Sequence, residues 1–276
     1  MRIIADTATL FSPAEGAEQG MTIIPVCVNI NNKTYQDYAE ISSEEFLKLV
    51  ADGGTPSSSQ PAIGDILDVF ESSEEDMLVL TVGDGLSGGY QTTLSARNCA
   101  ENPERIHVLN SKTLAGPLRY LAKKAVSLKD RSLSMEKIKA ELAASIESSV
   151  SFVIPEDFGF LRRSGRLTPI TAKIGGVLKL LPVLTQTEDK TRIKPIAVKR
   201  TWKSAVETII QQLEEIGVNH EYLISICHAG TDRKAISVME QIKASFSSSK
   251  IEILPLSPAL ITHGGPGCIV VQAIKM

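Results

Sequence analysis

The chain has 276 residues, 43% of them hydrophobic and 22% charged, with a formal net charge of −3. That length is long for one domain and natural for two, and the apolar content is ample for a core. The slightly acidic balance gives no general attraction to nucleic acid or to an anionic membrane surface. No apolar run approaches the ~20 residues of a spanning helix, and the opening MRIIADTATLF turns polar too soon for a signal peptide. A cytoplasmic protein without stable membrane insertion is expected. None of the four cysteines (27, 99, 227 and 268) lies within metal-ligand spacing of another, so neither a metal nor a cofactor is expected.

The first strand is expected over residues 2–5. It ends in Asp6-Thr7, polar residues that could face a ligand at the end of an open sheet or serve as a turn or cap. A second strand is expected over 21–30, with 33–35 returning as a hairpin after Asn31-Asn32. Ser42 and Glu45 form a capping box for a helix that reaches about residue 51. The segment 55–61, TPSSSQP, reads as a loop rich in hydroxyl donors, with Pro61 in the first turn of a helix over 62–70.

The next stretch organises the rest. Residues 77–82 form an apolar run of strand length, four glycines follow at 83, 85, 88 and 89, and 90–100 reads as a helix. Free backbone N–H groups and the positive end of the helix dipole meet at such a turn, so it can hold a carboxylate or phosphate. Ser87 adds a hydroxyl that can donate to the anion or cap the helix. Gly83, Gly85 and Gly88 also spell the dinucleotide fingerprint. The acidic residue expected about 20 positions on is missing, since the next strand, 105–109, runs into Asn110-Ser111.

Helices are expected over 114–127 and 137–148. Strands alternating with helices indicate a mostly parallel sheet flanked by helices. After a strand over 150–154, Pro155 marks the expected boundary between domains 1–154 and 155–276. The second domain opens with FGFLRRSGRL and a helix over 168–179 containing Gly175-Gly176. Two antiparallel strands are expected over 180–187 and 192–198, then a helix from Thr201 to Gly217. A strand over 222–227, a helix over 232–246 and strands over 251–254 and 268–274 complete an α/β domain with a mixed sheet. The final strand follows a loop, 262–267, with sequence THGGPG. His263 in that loop is either an exposed residue or a donor or base for a site shared by the domains.

The segments SSSQP, LSGGYQ, LRRSGR and HGGPG, in this order and spacing over nearly the whole chain, resemble the DegV family of two-domain bacterial proteins. The resemblance implies a DegV-like α/β fold that binds a long-chain fatty acid between its domains. It further implies a non-enzymatic role as the lipid-binding subunit of a fatty acid kinase, whose separate catalytic subunit phosphorylates the carboxyl group. Carried over by residue, it implies that Ser58, Ser59, Ser87, Gly88 and His263 meet the carboxylate, and that Arg163 and Arg166 face the kinase. The chain departs from the pattern at Ser58, where threonine is usual, and at Gly83-Asp84, Gly89 and Asn110. Asp84 would place a negative charge near a carboxylate unless it is paired or turned away.

The physics is compatible with that reading. Each buried CH₂ is worth about 0.8 kcal/mol, so a sixteen-carbon chain could contribute roughly 10 kcal/mol before ordering costs, while the carboxylate needs hydrogen bonds once it leaves water. Two alternatives stay open. Gly85 to Gly89 satisfies the G-x-S-x-G pattern, so Ser87 (or Ser59) with His263, and an acid such as Asp232, could form an acyl hydrolase. The Gly83–Gly88 turn could instead hold a nucleotide.

Overall fold

The computed structural model describes residues 1–169 and 180–276, so nearly all of the helix expected over 168–179, Gly175-Gly176 included, lies outside the described residues. The chain divides into two compact units. The first comprises Met1–Glu147 with Ser257–Ala259, and the second Ser148–Leu256 with Leu260–Met276.

The first unit is built on a parallel sheet. Its strands are β1 (Arg2–Asp6), β2 (Thr22–Ile24), β6 (Met77–Thr81) and β7 (Ile106–Asn110), in the order β2-β1-β6-β7. Its helices are α1 (Pro13–Glu18), α2 (Ser43–Ala51), α3 (Ile63–Glu71), α4 (Gly89–Cys99), α5 (Ala115–Asp130) and α6 (Met135–Ser148). The expected strand over 21–30 is two strands in two sheets. Pro25 has no N–H to donate and interrupts the run. Beyond it β3 (Cys27–Ile30) turns into a small antiparallel sheet with β4 (Lys33–Gln36) and β5 (Ser57–Ser59). The serine segment expected as a loop is therefore partly a strand. The Ser42–Glu45 capping box forms as expected, both reciprocal bonds being present.

Strand pleating places alternate residues on one face. On β1 and β6 that face carries Ile4, Met77 and Val79, which pack with Ile66 and Phe70 of α3 and Ala96 of α4 into one buried cluster. Helix α5 contacts β1 and β6. Leaving β1, the chain goes to β2 on one side and later to β6 on the other, so the sheet has its topological switch point between β1 and β6. In open α/β sheets ligands bind there, outside the carboxyl ends of the strands.

The second unit has a six-stranded mixed sheet. Its strands are β8 (Val150–Ile154), β9 (Leu181–Gln186), β10 (Ile193–Lys199), β11 (Tyr222–His228), β12 (Lys250–Pro255) and β13 (Ile269–Lys275), in the order β10-β9-β8-β13-β11-β12. Only β11 and β12 run parallel. Strand β8, read from the sequence as the end of the first domain, lies in this sheet, paired with β13 and β9. Helices α7 (Phe158–Ser164), α8 (Trp202–Ile216), α9 (Asp232–Ser245) and α10 (Pro258–Gly264) complete the described elements. Thr201 caps α8 by accepting from the Ser204 N–H, and Gly217 ends it with a φ of 84°. The THGGPG segment is not wholly a loop, because its first three residues form the last turn of α10.

Phe70 has no exposed surface and packs under the sheet. Phe70→Ala should destabilise the protein by about 3–5 kcal/mol, as read from urea denaturation.

Candidate functional site

The pleat that buries Ile4 and Val79 also sets what ends each row: Asp6 follows on β1 and Thr81 on β6. Together with Gly89 and Thr93 of α4, these residues line a cavity whose remaining walls include Ile24, Ile66 and Leu80. About 310 Å³ between these residues is unfilled by atoms, open solvent included, and the enclosed part has room for little more than one water molecule. The result is an apolar hollow with polar groups at the carboxyl end of the sheet, at the switch point.

Asp6 serves in two ways. Its Oδ1 accepts the Ala8 N–H at 2.8 Å, capping the short helical turn Thr7–Thr9, while the carboxyl group also lines the cavity. Burial first, then the neighbouring Asp37, push its pKa up to about 7, against the opposing bond from Ala8. Asp37 is fully buried. Burial raises it to about 6, against the Thr7 and Ser257 hydroxyls and the Ala259 N–H, which favour its charged form. The Ala259 bond, to Oδ1, is 3.4 Å long, and Oδ2 has no hydrogen-bond partner.

The glycine turn follows β6. Gly83 donates to the Thr113 carbonyl at 2.9 Å, and a Cβ on it would meet the Lys112 backbone at 2.9–3.0 Å. Gly85 has a φ of 85°, which favours glycine. Gly88 is the N-cap of α4, and the half-buried Ser87 accepts the Gly89 N–H at 3.2 Å. Ser87, one residue before that N-cap, thus satisfies the N–H of the first helical residue and retains its own O–H to donate. A Cβ built on Gly89 would lie 3.5 Å from Ser87 Oγ and 3.9 Å from Asp6 Oδ2, so the space above Gly89 is flanked by both side chains.

Ser58 is half-buried and Ser59 exposed on β5, opposite Val28 and Cys27 of β3. The Ser59 hydroxyl bonds the Cys27 thiol, whose pKa burial and then Asp65 raise against that bond. The following residue, Gln60, lies against the turn: its Oε1 would be 3.3 Å from a Cβ on Gly88. The serine segment and the glycine turn thus adjoin within the first unit. Asp84, the departure that threatened a carboxylate, is engaged elsewhere, with Oδ2 accepting from Gln91 at 2.9 Å and Oδ1 from the Gly85 N–H. Asn110 accepts from the Asp84 and Lys112 N–H groups. The turn is therefore braced by an amide where the dinucleotide fold keeps an acid for ribose.

The second unit carries His263, Arg163 and Arg166. Burial and then Arg166 lower the His263 pKa to about 4, so its imidazole is neutral at neutral pH. Arg166, half-buried, donates to the Ser164 carbonyl, and burial and then Arg192 lower its pKa. Arg163 is exposed, its guanidinium 4.6 Å from the centre of the Phe160 ring. Asp232, offered from the sequence as the acid of a hydrolytic triad, bonds His228 Nε2 at 3.1 Å instead. The closing glycines are packed tightly: Cβ atoms on Gly265 and Gly267, both at positive φ, would strike the Phe160 ring, at 2.7 Å, and the Glu156 carboxylate.

Sequence reasoning singled out Ser87, Gly88 and the serine segment. It missed Thr81, Thr93, Asp37 and the space above Gly89. The alternation Ile4-x-Asp6 and Val79-x-Thr81 carried the signal for the cavity wall, whereas Asp37 reaches its place by tertiary packing alone.

This arrangement defines a two-unit α/β protein with an apolar pocket and an anion-compatible turn at the switch point of its parallel sheet. The family model described as "Uncharacterised protein, DegV family" matches residues 1–276, and the chain belongs to the DegV family. A DegV domain-containing protein of Lactococcus lactis is 27% identical over 283 residues, covering 99% of this chain and 97% of that one. Among solved structures, a DegV family protein from Thermus thermophilus, described by its fatty acid binding, superposes with a TM-score of 0.89 at 24% identity over the whole of both chains. A DegV family protein from Ruminococcus gnavus, solved with vaccenic acid, gives 0.88 at 22% over 98% of each. At those identities the likeness is one of fold. No helix among the described residues is long and apolar enough to cross a membrane.

The raised pKa of Asp6 gives a stability test. The unfolded chain releases this proton near 3.8 and the folded chain near 7, so between those values the folded state binds more protons and stability falls as pH rises. Asp6→Asn removes that penalty. Its melting temperature should exceed wild type at pH 8, with the gap closing towards pH 4, in thermal scans.

Proposed function

We propose that the protein binds a long-chain fatty acid and presents its carboxyl group to a separate fatty acid kinase in the cytoplasm, supplying phospholipid synthesis. The observation that carries this is the cavity at the switch point, mostly apolar in its lining with Asp6, Thr81 and Thr93 as its polar groups, beside the first turn of α4 where Ser87 accepts the Gly89 N–H. The acyl chain takes the apolar lining beneath α3, which Ile4, Ile24, Ile66, Val79 and Leu80 supply. The carboxylate takes the Ser87 hydroxyl, with Ser58 and Ser59 on the adjoining segment and His263 as a neutral imidazole donor. The fatty acid binding described for the Thermus protein and the vaccenic acid of the Ruminococcus structure support the choice of ligand. The exposed Arg163, and Arg166 after it, form the docking face for the kinase or its phosphate-bearing substrate, since guanidinium groups match phosphate bidentately.

Ser87→Ala should weaken binding of a fluorescent fatty acid about ten- to hundredfold without unfolding the protein, the loss of one hydrogen bond to a charged group being worth about 1.5–3 kcal/mol. Unchanged affinity would reject the assignment of Ser87. Arg163→Ala should leave that affinity near wild type while acyl-phosphate formation by the cognate kinase falls sharply; a normal rate would reduce Arg163 to a surface charge.

A further inference from the structure

The polar end of the cavity holds a group that a site for anions would not be expected to keep. Asp6 lines the hollow, its Oδ2 accepts no hydrogen bond among the described residues, and this oxygen shares the space above Gly89 with Ser87 Oγ. A ligand carboxylate donated to by Ser87 would therefore lie beside the Asp6 carboxyl group. If both were ionised in contact with each other, the two like charges would repel, and more strongly in this partly buried site than in water. If Asp6 keeps its proton, the same contact becomes an O–H donor to a carboxylate, the arrangement in which two carboxyl groups share one site by holding one proton between them.

We propose that Asp6 is a further ligand-binding residue: its protonated carboxyl group donates a hydrogen bond to the ligand carboxylate above Gly89, so that the two carboxyl groups of the occupied site hold one proton between them. This rests on the fatty-acid reading above. Two surroundings hold the proton in place. The cavity wall around Asp6 is largely apolar, and Asp37 presses a second carboxyl group on it from the loop after β4. Asp84, the other acid of the adjacent turn, is bonded to Gln91 and Gly85. The groups on Asp37 are the Thr7 and Ser257 hydroxyls and the Ala259 N–H, none of them charged. Among the described residues, no cation acts on either acid. The empty site releases its proton near neutrality, and the bound anion holds it to higher pH. Affinity is thus full on the acid side and falls as pH rises through about 7.

The test is a titration of the whole protein with cis-parinaric acid between pH 6 and pH 8, with isothermal calorimetry in two buffers of different ionisation enthalpy. With a free-site pKa of about 7, wild type should bind about tenfold more weakly at pH 8 than at pH 6, and it should take up protons from the buffer at pH 8. Asp6→Asn keeps a donor without titrating, so it should bind with nearly equal affinity at both values. Asp37→Asn removes a like charge and should move the wild-type midpoint to lower pH. Wild-type affinity that is the same at pH 6 and pH 8, or a slope that survives in Asp6→Asn, would overturn the assignment of Asp6 while leaving fatty-acid binding intact. Absence of binding at every pH would overturn the fatty-acid reading itself and this inference with it.

Discussion

Two apolar rows, one on β1 and one on β6, run beneath α3 and α4, and each ends on a polar side chain. That pleat is the constraint on which the first unit depends. Burying Ile4, Met77 and Val79 drives the sheet against its helices, and the same alternation delivers Asp6 and Thr81 to the rim of the hollow they enclose. Because the strands are parallel and the chain reverses its direction of winding between β1 and β6, the glycine turn and the start of α4 meet at this rim. The pocket therefore arises from the core itself, continued one residue past the point where apolar side chains stop.

The glycines divide into those the backbone needs and those that leave room. Gly83 approaches the Lys112 backbone too closely for a side chain, and Gly85 takes a left-handed conformation. Gly89 is neither crowded nor left-handed, and the space over it opens between Ser87 and Asp6. In the second unit Gly265 and Gly267 are held by Phe160 and Glu156. The closing motif therefore has a packing role of its own, and its glycines set the turn that follows His263.

Much of this was legible in the sequence because it is local. The capping box at Ser42, the Thr201 cap with Gly217 at the other end, and the strand-turn-helix around Ser87 each depend on residues within a few positions of one another. Pro25 marked a break that the reading of 21–30 as a single strand passed over. The three serines between two prolines read as a loop because serine and proline are turn formers; β5 forms because β3 offers an edge to pair with. Asp37 and the Ser257–Ala259 segment meet across more than two hundred residues, and no pattern along the chain marks such a contact. The charge state of Asp6 was hidden for the same reason: it follows from burial and from Asp37, neither of which shows in the tetrapeptide around it.

The departures from the family pattern are also clearer in three dimensions. Asp84 is bonded to Gln91, and Asn110 ties the turn to the end of β7. A different acid, Asp6, flanks the space above Gly89 together with Ser87. An anion site bordered by an acid is selective, since it favours a ligand that brings or shares a proton over one of fixed charge such as a sulfonate.

The central claim, that an acyl chain occupies the hollow beneath α3, is tested most directly by photo-crosslinking. A long-chain fatty acid carrying a diazirine in mid-chain would be bound, irradiated and its adducts located by peptide mass spectrometry. Adducts on peptides containing Ile24, Ile66, Val79 or Leu80, suppressed by excess unlabelled fatty acid, are the predicted result. Saturable adducts confined to other peptides would contradict the account.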